Sequence, residues 1–258
     1  MNGNLIELDY IDLVISSGLI IVAGLISILL GLKIGKRLLL VSIRTVLQLG
    51  LVGLILKQVF AMAHPLPVAG LLFIMTIFAA REAVARTKRR YKGIYLDGWL
   101  AMTLSCLVVG GVVTQGVVGV QPWFSPRYVI PLLGMILGNS LTGVALGLDR
   151  FLQSLDANRE QIELLVVFGA SRSEALRDLR AEAVRTGLIP IMNSMAAAGI
   201  VSLPGMMTGQ ILAGSPPLQA VAYQIVVMFM IAAADAVGAM IAVMKASTRV
   251  MDSQAKLV

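Results

Sequence analysis

Cysteine and histidine are almost absent: the 258 residues hold one of each, Cys106 and His64. A disulfide framework within the chain is excluded. Zinc sites, iron–sulfur clusters and bis-histidine haem lack their ligand sets. A Ser-His-Asp triad would need His64, which sits beside Pro65 in a short connector and reads as a residue facing solvent or headgroups. Neither H-E-x-x-H nor G-x-S-x-G occurs, so an intramembrane enzyme has little chemistry to draw on. Charge is scarce too. Asp, Glu, Lys and Arg make up 14% of the chain, against about 25% in a typical soluble domain. The start is acidic (Glu7, Asp9, Asp12), which is unlike a cleavable signal peptide.

What is present is apolar: 58% of residues are hydrophobic and the mean hydropathy is +0.88. One soluble domain cannot bury that much apolar surface. The composition predicts an all-α integral membrane protein, because every backbone amide in hydrocarbon must be bonded within its own segment. Crossing takes about 20 apolar residues. The expected spans are Leu13–Leu32, Thr45–Ala63, Leu66–Ala80, a stretch within Gly98–Gln121, Tyr128–Leu148, a stretch within Thr186–Pro217, and Leu218–Met244. That makes about seven spans in a single domain, 1–258.

The basic residues give a direction. Lys33, Lys36, Arg37 and Arg44 follow the first span. Arg81, Arg86, Lys88, Arg89, Arg90 and Lys92 follow the third. Arg150, Arg159, Arg172, Arg177, Arg180 and Arg185 follow the fifth, and Lys245, Arg249 and Lys256 follow the last. These are 19 of the 21 Lys and Arg; the other side keeps only Lys57 and Arg127. Such a split predicts an outside N-terminus and an inside C-terminus, in a cell membrane of the bacterial cytoplasmic type. The net charge of +7 is then a meeting with anionic headgroups and not with nucleic acid. Tyr91, Tyr95 and Trp99 on one side, and Trp123, Phe124 and Tyr128 on the other, suit aromatic belts.

Asp149–Arg185 is the one long polar stretch, with seven acids and six arginines. Mixed charge suits a helical surface that contacts a protein. Gly169 divides it. Asp156–Phe168 reads as one helix with an apolar stripe of Ile162, Leu165 and Val166. Ser171 and Glu174 form a capping-box pattern ahead of a second helix, Arg172–Arg185, with Ala175, Leu176, Leu179 and Ala183 on one face.

The run from Glu163 through Gly169, Ala170 and Ser171, followed by Pro190, resembles the cytoplasmic coupling loop of ABC transporter permeases. In that family an acid precedes a glycine by six residues, and a short helix docks on the ATPase subunit. Here Leu164 and Leu165 replace the usual alanines, and Pro190 lies further downstream. Ser202-Leu203-Pro204-Gly205-Met206-Met207-Thr208-Gly209 resembles the FetB-like iron export permease family, to which plant aluminium-tolerance permeases are similar. So do Arg44 with Gln48, Ile130-Pro131 with Gly134-Met135 and Gly138-Asn139, and Tyr223-Gln224-Ile225 with Met228-Phe229-Met230. The likeness runs from about Leu40 to Ala242. It implies a permease subunit moving a small solute, with iron or another metal as the family's cargo, exported. It also implies a homodimer with a separate ATPase that binds ATP and Mg. No cofactor is expected on this chain, which has no G-x-x-x-x-G-K-[ST] loop. The implied coupling residues are Glu160, Glu163, Gly169, Ala170, Ser171 and Arg172.

Polar and helix-breaking residues in the spans mark path candidates: Asn139, Met135, Pro204, Gly205, Met206, Met207 and Asp235. Thr186–Pro217 runs 32 residues without a charge, which as one helix would reach about 48 Å. Pro190, Pro204 and Gly205 bend or break it, and Gly205–Pro217 is either re-entrant or external. Met206 and Met207 offer soft thioethers or packing. Asp235 either holds a cation or proton, as a standalone transporter or channel would use it, or pairs with Arg44 or Arg81. Met206, Met207 and Asp235 are the metal candidates. Asn139 and Asn193 are expected to face the interior. Gly134, Gly138, Gly143, Ala145 and Gly147 form a small packing face, with a dimer contact as one use.

Overall fold

The computed structural model describes residues 9–62 and 64–253. Glu7, Ala63 (the expected end of the second span) and Lys256 lie outside the described residues. The described chain is helical between short connections. It falls into two compact units, Met1–Ala63 with Leu212–Gly214, and His64–Ile211 with Ser215–Val258.

The first unit is a helical hairpin of α1 (Tyr10–Leu29) and α2 (Gly35–Met62). Its turn uses left-handed backbone at Gly31 (φ +64°) and Lys33 (φ +56°), and the Ile34 N–H donates to Ser27 Oγ at 3.2 Å. Apolar side chains are exposed around most of both helices. A helix that is apolar all round belongs in lipid. Arg37 and Arg44, expected in a connector, lie on α2 itself, because helix is the cheapest way to continue the backbone into the headgroup layer.

The second unit holds α3 (Pro65–Ala85), α4 (Ile94–Gly111), which continues through a π-helical turn at Val112–Val117, α5 (Pro126–Ala157), α6 (Arg159–Val167), α7 (Arg172–Ala175), α8 (Arg177–Ala197), α9 (Gly205–Leu212) and α10 (Pro217–Ser253). His64 is exposed and caps α3, its Nδ1 accepting the Leu66 N–H. Val144, Leu148 and Phe151 of α5, Ala101 and Met102 of α4, and Ala239 and Val243 of α10 form the buried centre. Trp99 Nε1 donates to Thr76 Oγ1 at 3.0 Å, tying α4 to α3.

The small face of α5 is used within the chain. A Cβ on Gly187 of α8 would lie 2.6 Å from the Gly143 carbonyl oxygen, and one on Gly147 would lie 3.4 Å from the Ala183 carbonyl oxygen. The two backbones touch, as small residues permit between helices in lipid. Gly138 opens on empty space.

Six described helices are long and apolar enough to cross a membrane: α1, α2, α3, α4 with its π turn, α5 and α10. The stretch expected as the sixth crossing is divided. Its first part is the apolar half of α8, whose other half carries Arg177, Asp178, Arg180, Glu182 and Arg185. Its second part is α9, eight residues long and so about 12 Å. Pro190 sits inside α8 without ending it. The break falls at Ala198–Pro204, where Gly199 takes φ +82°.

The polar ends of α3, α4, α5, α8 and α10 gather at one end of this unit. Arg89 pairs with Asp156, and Arg150 with Glu182. The Lys88 N–H donates to Asp149 at 2.9 Å. Asp97, 1% exposed, accepts Arg249 Nε at 2.8 Å and the Tyr91 hydroxyl at 3.1 Å. Burial, reinforced by the Asp97 carboxylate, holds the Tyr91 phenol far above its ordinary range. Asp235 is therefore not the only acid buried in a long apolar helix.

Candidate functional site

Two breaks in the helical path carry the candidate residues. At the first, α6 ends in a glycine-terminated cap. The Gly169 N–H donates to the Val166 carbonyl and the Ala170 N–H to the Leu165 carbonyl, both at 3.0 Å. Gly169 takes φ +96°, which a side chain would strain. The next helix starts at once. Ser171 Oγ accepts the Glu174 N–H at 3.2 Å, and Glu174 accepts the Ser171 N–H at 2.8 Å. The expected capping box is present, and the Ser171 hydroxyl, donating to Glu174 Oε2 at 2.6 Å, together with the Ser171 N–H, pulls the Glu174 carboxyl below its ordinary pKa. Arg180 donates to the Ser173 carbonyl at 2.6 Å.

The turn is thus closed on both sides, and its inner face is packed. Ile162, Ala175, Leu176 and Ala183 are buried. The expected stripe holds only at Ile162, since Leu165 and Val166 are exposed. Helix boundaries also shift: α5 runs on to Ala157, and the second helix divides into α7 and α8 at Leu176. Val167 and Phe168, which the charge pattern did not single out, stand 83% and 80% exposed at the tip. Glu160, Glu163 and Arg172 surround this tip on the surface, with Glu163 accepting from Arg159 Nε at 3.0 Å. Exposed apolar side chains rimmed by charge mark interaction surfaces.

At the second break α8 ends at Ala197, whose carbonyl accepts the Val201 N–H at 3.0 Å and the Ser202 N–H at 3.2 Å. The Gly199 N–H donates to the Ser202 carbonyl at 2.9 Å. Pro204 then starts α9, its carbonyl accepting the Thr208 N–H. The short helix has a pocket on each side. One, of about 510 Å³, is lined by Met135, Met206, Gln210, Arg127, Tyr128 and Tyr223 among others. The other, of about 350 Å³, is lined by Met195, Pro204, Met207, Gln224, Met228 and Phe229 among others. Met206 and Met207 are adjacent in sequence, but a helix turns about 100° per residue, so each serves a different pocket. Each pocket also contains a buried amide oxygen, Gln210 Oε1 in the first and Gln224 Oε1 in the second, that accepts no hydrogen bond from the described residues.

The remaining candidates lie elsewhere. Asp235, 3% exposed, accepts the Ser140 hydroxyl at 2.9 Å. Its partner is this serine of α5, not Arg44 or Arg81, and it lines neither pocket beside α9. Asn139 is exposed and donates to the Met135 carbonyl of its own helix at 2.8 Å, and Asn193 is exposed too. Neither faces the interior of the chain. Gly205 is exposed at the start of α9. Among the described residues no three His, Cys, Asp or Glu side chains gather as a metal site would require.

Long apolar helices, interrupted by a surface turn and by a short helix between two pockets, define a multi-pass helical membrane protein. The chain belongs to the uncharacterised protein family UPF0014, whose model matches residues 10–251. A UPF0014 membrane protein of Synechocystis is 40% identical over 233 residues, covering 90% of this chain and 89% of that one. The Escherichia coli protein named probable iron export permease protein FetB is 32% identical, covering 87% and 85%. The Arabidopsis protein ALUMINUM SENSITIVE 3 is 29% identical, covering 75% and 70%. No solved structure matches the chain.

Proposed function

We propose that this chain is the membrane-spanning subunit of an ABC transporter, moving a small solute with ATP hydrolysed on a separate chain. The observation that carries this is the Gly169 tip. A turn sealed by caps and braced by ion pairs presents Val167 and Phe168 outward, as a rigid knob for a groove on a partner. The knob continues directly from α5 and into α8, and Arg150 with Glu182 ties α5 to α8 while Arg89 with Asp156 ties α5 to the connector before α4. A push at the tip is carried into the bundle. In this reading the Gly169 tip and the charged ends of α3, α5 and α8 face the cytoplasm, where ATP is, and the pockets beside α9 lie towards the other side. Iron or another metal is the proposed cargo, in line with the name of the E. coli relative.

The chain acts as a homodimer. Asn139 and Gly138 of α5, and Asn193 and Met192 of α8, are exposed on two helices that touch. An amide facing lipid is costly, and a second copy would cover both asparagines. A standalone proton- or cation-coupled transporter finds less support, since Asp235 is buried, already bonded to Ser140, and lines neither pocket. The test is co-purification of the chain with a candidate ABC ATPase subunit from the same organism. Val167→Asp with Phe168→Asp should abolish the complex while leaving helicity and thermal unfolding unchanged, because both side chains are exposed. A complex that survives both substitutions would sink the proposal.

A further inference from the structure

We infer that the pocket bounded by α8, α9 and α10 is a binding site for a thiophilic monovalent cation, of which Cu(I) is the physiological type. Three methionines from three helices line it: Met195 of α8, Met207 of α9 and Met228 of α10. Thioethers are neutral, soft ligands. They select Cu(I), while hard cations and Fe(II) prefer carboxylate, imidazole and water. The pocket is lined by no acid, histidine or cysteine, so three thioethers face a single hard donor, the Gln224 amide oxygen, and the soft ligands dominate.

The second observation is the glutamine. Gln224 is one turn from Met228 on α10, is 7% exposed, lines the same pocket, and its Oε1 accepts no hydrogen bond from the described residues. Leaving a buried acceptor unpaired costs about 1–3 kcal/mol, and a bound cation supplies what that oxygen lacks. Methionine alone would read as gap-filling. Gap-filling does not explain a buried amide oxygen left unbonded in a pocket that three methionines line.

The break places these groups. Gly199 reverses the chain after α8, so Met207 is delivered back towards Met195, and Pro204 fixes the start of α9. Uncharged ligands hold a cation without neutralising it, which suits a site that must release its cargo. As a binding site this stands by itself; as a station on a transport path it rests on the proposed permease function.

The test uses the full chain in detergent, anaerobically and without any ATPase. Cu(I) is titrated against a chromophoric chelator, Ag(I) serves as a redox-inert probe by calorimetry, and Fe(II) is the comparison. Wild type should bind about one equivalent of Cu(I) and of Ag(I), with a sulfur shell in copper X-ray absorption. Met207→Leu should weaken binding at least tenfold, and the Met195→Leu, Met207→Leu, Met228→Leu triple variant should abolish it. Met206→Leu, on the other side of α9, should change nothing. Leucine conserves volume, and an unchanged thermal midpoint identifies the variants that remain folded. Gln224→Leu, weakening binding with the methionines intact, is the check should the triple variant not fold. Unchanged binding in the triple variant, no bound copper in wild type, or equal Fe(II) binding lost with the same methionines would overturn the inference. Each readout is independent of ATPase docking, so failure of the permease proposal would leave it untouched.

Discussion

The two breaks in the second unit are both made by a glycine at positive φ, and they are built to opposite ends. At Gly169 the backbone is closed by the glycine cap on one side and by the capping box on the other. What remains unsatisfied there is apolar: Val167 and Phe168. At Gly199 the turn is looser, with one carbonyl, that of Ala197, shared among several donors. What remains unsatisfied near it is polar: Gln210 and Gln224. A tight turn with a greasy tip is a handle for a protein. A loose turn beside unpaired amides and thioethers is a wall for a small solute. One helix, α8, joins the two, and it is held against α5 at the Gly143–Gly187 crossing.

The contrast can be broken most sharply at the tip. Replacing Val167 and Phe168 by Asp should weaken ATPase binding at least a hundredfold, about 2.7 kcal/mol, measured by co-purification and titration. Equal binding would mean the sealed turn is no handle. Next is the rod between the breaks. Gly187→Ala puts a methyl into the Gly143 carbonyl and should cost about 1–3 kcal/mol, read as a lower thermal midpoint together with lost coupling. An unaffected midpoint would show that α8 is not clamped.

Asp97→Asn tests the anchoring of the tip's end of the bundle. It removes the charge that holds Arg249 and Tyr91, for about 2 kcal/mol, discounted because Arg249 is half-exposed. The Tyr91 phenol should then titrate at lower pH, followed by ultraviolet absorbance, because one cause of its elevation is gone.

Gly169→Ala and Gly199→Ala sharpen the comparison directly. Both sites have open space around the would-be side chain, so each should pay only backbone strain, about 1–2 kcal/mol. Stability should fall alike while function divides: ATPase coupling changes in the first, Ag(I) binding in the second. The smallest effect is Ser171→Ala, about 1 kcal/mol of local helix stability, seen in amide exchange of α7. The Glu174 bond also has a pH sign. Its folded pKa is depressed, so its contribution is present at neutral pH and fades as pH falls through the lowered value.

The first break was legible because caps are local: glycine, serine and glutamate lie within six residues, and their spacing states the geometry. Six of the seven expected spans were legible because lipid demands length and apolarity, with charged ends that run further than the apolar runs suggest; the expected sixth is divided between α8 and α9. Asp97 with Arg249 was not legible. The two are 152 positions apart, and Arg249 looked like one more basic residue at an inner end. Met206 and Met207 were visible as a pair, but their division between two pockets depends on what α5, α8 and α10 bring to each side of α9. Asn139 and Asn193 were expected inside, as isolated amides in lipid should be. Both are exposed in the single chain, which is what the proposed second copy would account for.

The central claim is that force from ATP enters through the Gly169 tip. The direct measurement is ATP hydrolysis in liposomes by the ABC ATPase that co-purifies with the chain, alone, with the wild-type chain, and with the Val167→Asp, Phe168→Asp chain. Stimulation by wild type and none by the variant is the predicted result. Equal stimulation by both, or solute transport by the chain with no ATPase present, would contradict it.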